Sequence, residues 1–445
     1  MNIRSLGRIA AAIIISMTAC VSLLLVFAFI PRASLKNNAK RSADYFTGHE
    51  AFPVLFGDCI NSIQDNYADT YTLAVAYGID EKHPFTSAMK AMYTQGKYEA
   101  IADGFRAQVY DDRTLDREYG RYWHGMIPYV RFMMLFTDIR YMRLIAGTIT
   151  ILIFVLNLIL LYKRDQKAVA VCMGLALIGV QPWMLFYSLE YVSTFFAAVM
   201  AVLFLLLNKD PIQDLDIMMF FSVVGVITCF IDFLSTETVT FTLPMFIIMV
   251  LQDKADVHPV LKDRVRLIFV CGISWVTGYA GMFAGKFALL YAVCGREVFD
   301  GAIKEAVFRM GGDVYLGNSN LNPVATVWQK YRGAIWHNLA ALFPIRTEAM
   351  TEFRAIVPVM VIVLVCFSFI YLFHAKIFPE RMVPLVILGL IPYARYLALS
   401  NHSYVHFFFT YRAQMITLLV LMMITWENAF LPLFSRLKGV RCVNG

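Results

Sequence analysis

Ionisable and aromatic side chains of this sequence gather at the ends of its apolar segments rather than inside them. A charged side chain close to hydrocarbon is costly and therefore suggests a functional role. Carboxylates serve as general bases, and arginine binds phosphate groups strongly. The residues concerned are Asp58, Asp65, Asp69, His124, Glu190, Asp232, Glu237, Arg395, His402, His406 and Arg412. Such a set suits the transfer of a group from an anionic carrier to a hydroxyl acceptor.

The acidic candidates for the base follow the first apolar run. Asp65 and Asp69 are four residues apart, so on a helix they share one face, and both are favoured over Asp58, which lies beside Phe56-Gly57. Their alternative interpretation is that of ordinary solvated or helix-capping carboxylates. The choice among the three stays open at this stage.

The basic candidates surround the last apolar run. Arg412 follows Phe407-Phe408-Phe409, where exposure to lipid would be expensive, so it should face the helix bundle or reach the outer surface. Together with Arg395, His402 and His406 it is a candidate for holding a phosphate. His124, Glu190, Asp232 and Glu237 complete the proposed substrate site, although an interface histidine and solvated turn carboxylates remain alternatives for them.

Composition sets the class of protein. The chain has 445 residues, of which 59% are hydrophobic and only 16% are charged, whereas soluble domains are about 45–50% apolar and about 25% charged. Its basic residues form no dense stripe, so nucleic-acid binding is not expected. The sequence therefore predicts an all-α polytopic membrane protein, with residues 1–445 forming one integral-membrane domain.

Ten apolar runs are long enough, or nearly long enough, to cross a bilayer, which takes about 20 residues. The first is an uncleaved signal-anchor, and two runs of 15 residues require local thinning of the membrane. The predicted spans are 9–30, 144–162, 168–189, 191–208, 217–231, 238–252, 267–285, 355–373, 382–399 and 404–430.

The positions of Lys and Arg predict how these spans are oriented. With a cytoplasmic N-terminus, the inner segments carry 15 Lys and Arg and the short outer connections carry none, as the positive-inside rule requires. Both termini are then cytoplasmic and the candidate site is extracytoplasmic. The resulting organisation is a first outer loop at 31–143, spans two to seven within 144–285, a second outer loop at 286–354, spans eight to ten within 355–434, and a cytoplasmic tail at 435–445.

Both outer loops are expected to be partly helical and to pack on the bundle as a cap. The first contains apolar and aromatic residues at helical spacing, which predicts amphipathic helices along the membrane surface. The second is predicted to be helical around residues 298–310, with turns at its glycine-rich stretches.

The layout resembles that of the GT-C superfamily of polytopic glycosyltransferases, which use sugars carried on lipid phosphates. The resemblance covers most of the chain at the level of architecture: one helix, a large outer loop with early acidic residues, and a multi-helix bundle. Four segments are also similar to stretches in uncharacterised bacterial membrane proteins placed near that superfamily, namely Asp65-Asn66-Tyr67-Ala68-Asp69, Arg121-Tyr122-Trp123-His124-Gly125, Asp232-Phe233-Leu234-Ser235 and Asn401-His402-Ser403-Tyr404.

In that superfamily an acidic residue of the first outer loop is the usual base, so the resemblance implies this role for Asp58, Asp65 or Asp69. The loop lacks the adjacent acidic pair of many such enzymes; its acids are spaced apart instead. No cofactor is expected, although the acidic trio could bind a divalent metal.

The function expected from these observations is transfer of a sugar from a polyprenyl-phosphate donor to a glycan, glycolipid or protein acceptor of the cell envelope, at the outer side of the membrane. One alternative is a polysaccharide polymerase or ligase that uses arginine and histidine without a carboxylate base. Another is a transporter or flippase, for which a binding site near the bilayer midplane would be typical. A purely structural membrane scaffold is the third.

Overall fold

The computed structural model describes residues 3–56, 59–97, 99–208, 214–254, 260–313, 324–342, 364 and 382–427. The described chain is almost entirely helical, with one small antiparallel ribbon in the first loop, β1 (Met92–Tyr93) and β2 (Arg117–Glu118). Its helices are α1 (Ile3–Ala28), α2 (Arg32–Thr47), α3 (Asn66–Gly78), α4 (Pro84–Lys90), α5 (Ile101–Tyr110), α6 (Ile127–Met134), α7 (Ile139–Lys163), α8 (Lys167–Gly179), α9 (Leu189–Leu207), α10 (Asp214–Ile231), α11 (Val239–Lys254), α12 (Leu261–Cys294), α13 (Arg296–Gly311), α14 (Val327–Leu342), α15 (Met382–Ala398), α16 (Ser400–Val405), α17 (Phe407–Thr410) and α18 (Met415–Thr425).

Five of the described helical segments are long and apolar enough to cross a membrane: Arg4–Ala28, Ile139–Lys163, Leu189–Leu207, Leu261–Cys294 and Phe407–Thr425. Four shorter apolar helices accompany them. The prediction of an all-α chain with membrane-type helices is thus confirmed, while the count of ten spans stays a prediction. The eighth predicted span, 355–373, and the predicted tail lie almost wholly outside the described residues.

Two predicted spans differ from the helices found. The run 168–189 contains a 13-residue helix, α8, which ends at Gly179. Gln181 then takes a left-handed conformation with φ of 57°, and Pro182 begins a short 3₁₀ helix. Proline lacks an N–H group and disfavours helix in the residue before it, which explains the break. Glu190 consequently lies in the first turn of α9 and not in a tight turn between two spans.

The run 404–430 is also interrupted. It comprises the end of α16, the short α17, a 3₁₀ turn at Tyr411–Gln414 and α18. Arg412 therefore lies in the 3₁₀ turn rather than eight residues inside a continuous helix.

The segment between α1 and α7, which corresponds to the predicted first outer loop, packs as a cap on the bundle. Helix α3 is buried on most of its surface, with Leu73 and Tyr77 in the core. Arg131 of α6 is completely buried and donates to backbone carbonyls at the end of α1 (Phe27, Ala28 and Ile30) and to that of Ala76 in α3. This arginine joins the cap to the first membrane helix.

The most extensive helix pairing joins α10 and α12. Small residues allow this approach, as they do in membrane helix pairs generally. A Cβ atom on Gly278 would lie 1.9 Å from the carbonyl oxygen of Ser222, and one on Gly225 would lie 2.1 Å from that of Trp275. Any side chain at either position would force α10 and α12 apart.

Candidate functional site

Asp65 caps the buried helix α3. Its Oδ1 accepts a hydrogen bond of 2.7 Å from the backbone N–H of Ala68, and the side chain is almost fully buried. The preceding chain is fixed by backbone bonds from Gln64 N to Pro53 O and from Asn66 N to Ala51 O. Burial raises the pKa of Asp65 to about 7, with the charge of Asp69 as a further contribution.

The side chains of Asp65 and Glu190 lie close enough for each carboxyl group to influence the pKa of Asp65 and the charge of the pair. Two carboxylates cannot share a bond unless one of them carries a proton. The Oε2 atom of Glu190 is buried without a hydrogen-bond partner in the described part of the chain. The pair therefore offers an acceptor atom, Oε2 of Glu190, that no described residue uses.

Asp69 is in a different environment from Asp65. It forms an ion pair with Arg143, with 2.6 Å between Nε and Oδ2, and it accepts the backbone N–H of Leu189 at the start of α9. The second guanidinium branch of Arg143 donates to Oδ1 of Asn66. Burial raises the pKa of Asp69 while Arg143 opposes this shift. These contacts make Asp69 the link between the cap, α7 and α9.

A second buried ion pair joins Glu237 to Arg395. The Nε atom of Arg395 lies 2.7 Å from Oε1 of Glu237, and the same guanidinium donates to Oγ of Ser403 and to the backbone carbonyl of Leu234. His402 donates from Nε2 to this same carbonyl at 2.8 Å. Arg395 and His402 thus hold the 232–238 connection in place.

Asp232 organises that connection from within. Its carboxylate accepts from the N–H of Leu234 and from both the N–H and the hydroxyl of Ser235. Burial and the neighbouring charge of Glu237 raise the pKa of Asp232 to about 7. Leu234 itself has a φ of 66°, an uncommon conformation for a branched residue.

Arg412 is also buried at this end of the bundle, and none of the ion pairs among the described residues involves it. Its Nη2 donates to the carbonyl of Asn61 at 3.1 Å, and its Nη1 donates to that of Phe408 at 3.3 Å. Its Nε is buried without a hydrogen-bond partner. The guanidinium also lies over the ring of Tyr191, 4.2 Å from the ring centroid.

Tyr191 connects Arg412 to the acidic pair. Its ring supports Arg412, its hydroxyl donates to the carbonyl of Ile63 at 2.8 Å, and it follows Glu190 in the chain. The structure therefore brings Asp65, Glu190 and Arg412 around Tyr191, whereas Asp232, Glu237, Arg395 and His402 form the adjacent network.

The remaining candidates have other surroundings. His124 is buried with a φ of 55° and donates from Nε2 to the carbonyl of Tyr119; burial lowers the pKa of this histidine to about 3, so its ring is neutral. The ring of His406 packs on those of His402 and Phe409. Asp58 lies outside the described residues.

An apolar groove runs down from this cluster between α1, α7, α9 and α10. Its volume is about 1370 Å³. Its lining on α9 extends from Val192 to Phe204, a length of about 18 Å at 1.5 Å per residue. It also includes Asn208, just beyond the end of α9, and Asp216, which forms an ion pair with Arg8. Lining residues such as Met200 and Phe204 are exposed, so the groove opens to its surroundings.

The upper end of the groove adjoins the polar cluster. Its lining there includes Val192, Ile231 and Gly125, which lie within two residues of Glu190, Asp232 and His124. The groove, whose α9 lining is about 18 Å long beside a bilayer's hydrocarbon core of about 30 Å, thus has at one end residues that adjoin the buried acids Glu190 and Asp232 in the chain.

Sequence reasoning missed Arg143, Tyr191 and Asn61. Arg143 directly precedes the apolar run 144–162, where it reads as an ordinary flanking charge. Nothing in the sequence pairs it with Asp69, because the two residues are 74 positions apart. Tyr191 could have been noticed because it is next to Glu190 in the sequence. An aromatic residue at the end of a span is usually an interface anchor, however, and this favours the ordinary interpretation.

Within the described ranges, no group of three or more His, Cys, Asp or Glu residues is placed to hold a metal ion. No family model, curated protein or solved structure matches the chain.

Proposed function

We propose that this protein is an integral-membrane transferase that acts at the outer face of the membrane and moves a sugar from a polyprenyl phosphate to an acceptor of the cell envelope. The observation that carries the proposal is the apolar groove that ends at the polar cluster. The lipid tail of the donor requires an apolar groove, and its phosphate and sugar require a polar cluster. Neither feature alone would distinguish this function from that of a scaffold.

In the proposed reaction the acceptor hydroxyl gives its proton to the Asp65–Glu190 pair as its oxygen attacks the anomeric carbon. The bond between that carbon and the phosphate oxygen breaks, and the electron pair leaves with the polyprenyl phosphate. A base whose pKa is near the working pH is the most effective, and the pKa of Asp65, at about 7, meets this condition.

Arg412 is the proposed partner of the phosphate. It is buried, has no carboxylate partner in the described chain and carries a fixed positive charge near the base. A donor placed in a site with little water stabilises a departing anion strongly. The ion-paired Asp69, Glu237 and Arg395 are then positioning residues, and His402 supports the same loop.

A direct test uses the full-length chain in lipid nanodiscs. Polyprenyl phosphates that carry radioactive hexoses or pentoses are supplied with envelope lipid and polysaccharide extracts as acceptors. We expect label to move from the lipid fraction to the acceptor fraction with release of polyprenyl phosphate. Failure with every donor of the panel, in a preparation that melts cooperatively, would reject the proposal.

A second measurement examines the groove itself. A polyprenyl phosphate with a photoreactive group in its tail should label peptides containing Met200 or Phe204, and excess unlabelled polyprenyl phosphate should suppress the labelling. Leu152 on α7, which is exposed and does not line the groove, provides the matched control. Equal labelling of its peptide would mean that the tail has no specific site.

The polymerase or ligase alternative is separated by mutation. It requires Arg412 but no carboxylate base, so Asp65→Asn and Glu190→Gln would leave transfer intact while Arg412→Gln abolishes it. Vesicle uptake or lipid scrambling without sugar transfer would instead favour a transporter or flippase.

A further inference from the structure

A continuous row of aromatic rings leads from the cap to the polar cluster. We define the aromatic strip as Phe52, Tyr67, Tyr71, Tyr119, Tyr122 and Phe233. Successive ring centroids along this row are 4.9 to 5.7 Å apart. Its last ring belongs to the residue after Asp232, so the strip ends beside the candidate site.

The aromatic strip is exposed to solvent at the end formed by Phe52 and Tyr67. Phe52 and Tyr67 are 42% and 41% exposed, and Tyr71, Tyr119 and Tyr122 are half-buried. On α3 almost everything else is buried, so the exposed face of that helix consists chiefly of these tyrosines. Aromatic rings with only two side-chain torsions offer contact area at low entropic cost.

Polar groups border the rings. The hydroxyl of Tyr71 donates to Oε1 of Gln95 at 3.1 Å and lies 3.2 Å from the hydroxyl of Tyr67. The guanidinium of Arg121 lies 4.2 Å from the centroid of the Tyr119 ring. The surface therefore alternates flat apolar faces with hydrogen-bonding groups.

This pattern differs from that of the surfaces suited to lipid. Helices α1 and α7 expose many aliphatic side chains, such as Ile14, Ile15 and Leu152. A sugar ring has the complementary character to the strip: its C–H face packs on the negative face of an aromatic ring, while its hydroxyls require donors and acceptors at the edge.

We propose that the aromatic strip binds an oligosaccharide. This oligosaccharide is the acceptor of the transferred sugar, and its terminal hydroxyl reaches the Asp65–Glu190 pair. This inference rests on the proposed function, because it assigns the acceptor to the carbohydrate class rather than to protein. The row of rings provides successive stacking positions, so affinity should rise with the number of sugar residues.

The test is a binding measurement that needs neither donor nor transfer. Saturation-transfer NMR is recorded on the full-length protein in nanodiscs with cellohexaose as a neutral probe and hexagalacturonate as an acidic one. We expect saturable binding of at least one of these hexasaccharides. The disaccharide built from the same sugar should bind much more weakly. Preference for the acidic probe would indicate that Arg121 contributes charge recognition.

Variants assign the binding to the strip. Tyr67→Ala and Tyr71→Ala should each weaken binding about tenfold, since loss of one stacking ring has effects of this order, whereas Tyr67→Phe should change it less than about twofold. Tyr141, which is 55% exposed on α7 and outside the strip, supplies the matched control Tyr141→Ala. Absence of saturable binding by both probes, or equal loss in Tyr141→Ala, would overturn the inference.

The two proposals can fail separately. Asp65→Asn should retain oligosaccharide binding while losing transfer. A chain that transfers sugar to lipid or protein yet binds neither hexasaccharide would leave the proposed function intact and reject the role of the strip.

Discussion

Arg395 and Arg412 lie 17 residues apart, both buried at the same end of the bundle, yet their surroundings differ. Arg395 has Glu237 as an ion-pair partner and further acceptors in Ser403 and Leu234. Arg412 has two carbonyls and an aromatic face but no carboxylate among the described residues. We call the surroundings of Arg395 the compensated region, because a carboxylate balances its charge. We call the surroundings of Arg412, with Tyr191, Asp65 and Glu190, the uncompensated region.

We expect this difference to distinguish the charges that hold the fold together from those that serve the proposed function. Breaking a buried ion pair is strongly destabilising because it leaves an unpaired charge, so Arg395 and Glu237 hold the fold together. A buried cation without an anion is costly to keep, and a ligand that brings the anion removes that cost. The same contrast applies to the acids, since Asp69 is paired with Arg143, whereas Asp65 lies beside Glu190 and takes part in none of the ion pairs among the described residues.

The largest effect should come from the acid of the uncompensated region. Asp65→Asn keeps the cap of α3, because an asparagine oxygen also accepts the N–H of Ala68, but it removes the base. We expect sugar transfer to fall by about 10²- to 10⁴-fold, with little change in the melting temperature. Asp69→Asn is the matched control in the compensated environment and should lower the melting temperature. Identical behaviour of the two variants would remove the distinction.

The two arginines give the next test. Arg412→Gln should reduce transfer by about 10²- to 10³-fold, as loss of one oxyanion donor does, and should leave stability nearly unchanged. Arg395→Gln should cost roughly 3–5 kcal/mol of unfolding free energy because Glu237 loses its partner. Thermal melting and initial transfer rates of both variants measure the contrast. A greater loss of stability in Arg412→Gln than in Arg395→Gln would reverse our assignment.

Sequence reasoning predicted which residue types matter but not how they are paired. The apolar runs indicated the helices, and the cost of burying charge singled out Asp65, Glu190, Arg395 and Arg412. Their partners are far apart in the chain: Glu237 and Arg395 are separated by 158 residues. Pairings at such separations depend on packing, which no local pattern encodes.

The interruptions of the predicted spans were missed for a related reason. Hydropathy reports how well a side chain tolerates lipid, and it does not report backbone direction. The end of α8 at Gly179 and the 3₁₀ turn around Arg412 are both changes of backbone direction, and both place polar residues at a helix end. Such irregular backbone is tolerated at membrane depth only where protein or a cavity surrounds it.

Changes in pH should move stability and activity in opposite directions. The pKa values of Asp65 and Asp232 are raised to about 7 from an ordinary value of 3.8, so the folded protein binds more protons than the unfolded chain between about pH 4 and pH 7. Its unfolding free energy must then decrease as the pH rises through this interval. Activity should increase over the upper part of it, because the base acts in its ionised form.

Melting temperatures and transfer rates from pH 5 to pH 8 measure both trends. Asp65→Asn should flatten the pH dependence of stability, and Asp232→Asn should do so as well while retaining transfer. A melting temperature that rises from pH 5 to pH 8 would contradict the assignment of raised pKa values.

The smallest predicted effect concerns Leu234 in the compensated region, where the backbone is held at a φ of 66°. A left-handed residue other than glycine costs about 1–2 kcal/mol, and the bonds from Arg395 and His402 to its carbonyl maintain this conformation. Leu234→Gly should be near neutral, since relief of strain offsets the greater entropy of the unfolded chain, about 0.5–1 kcal/mol.

Leu234→Val should instead lose about 1–3 kcal/mol, because a β-branched residue tolerates this conformation least. Melting of both variants beside the parent protein gives the comparison, and transfer should be preserved in Leu234→Gly if the loop keeps its bonds. A Val variant as stable as the Gly variant would mean that the conformation is not enforced. Arg395 would then have no strained carbonyl to hold, and its role would reduce to the ion pair with Glu237.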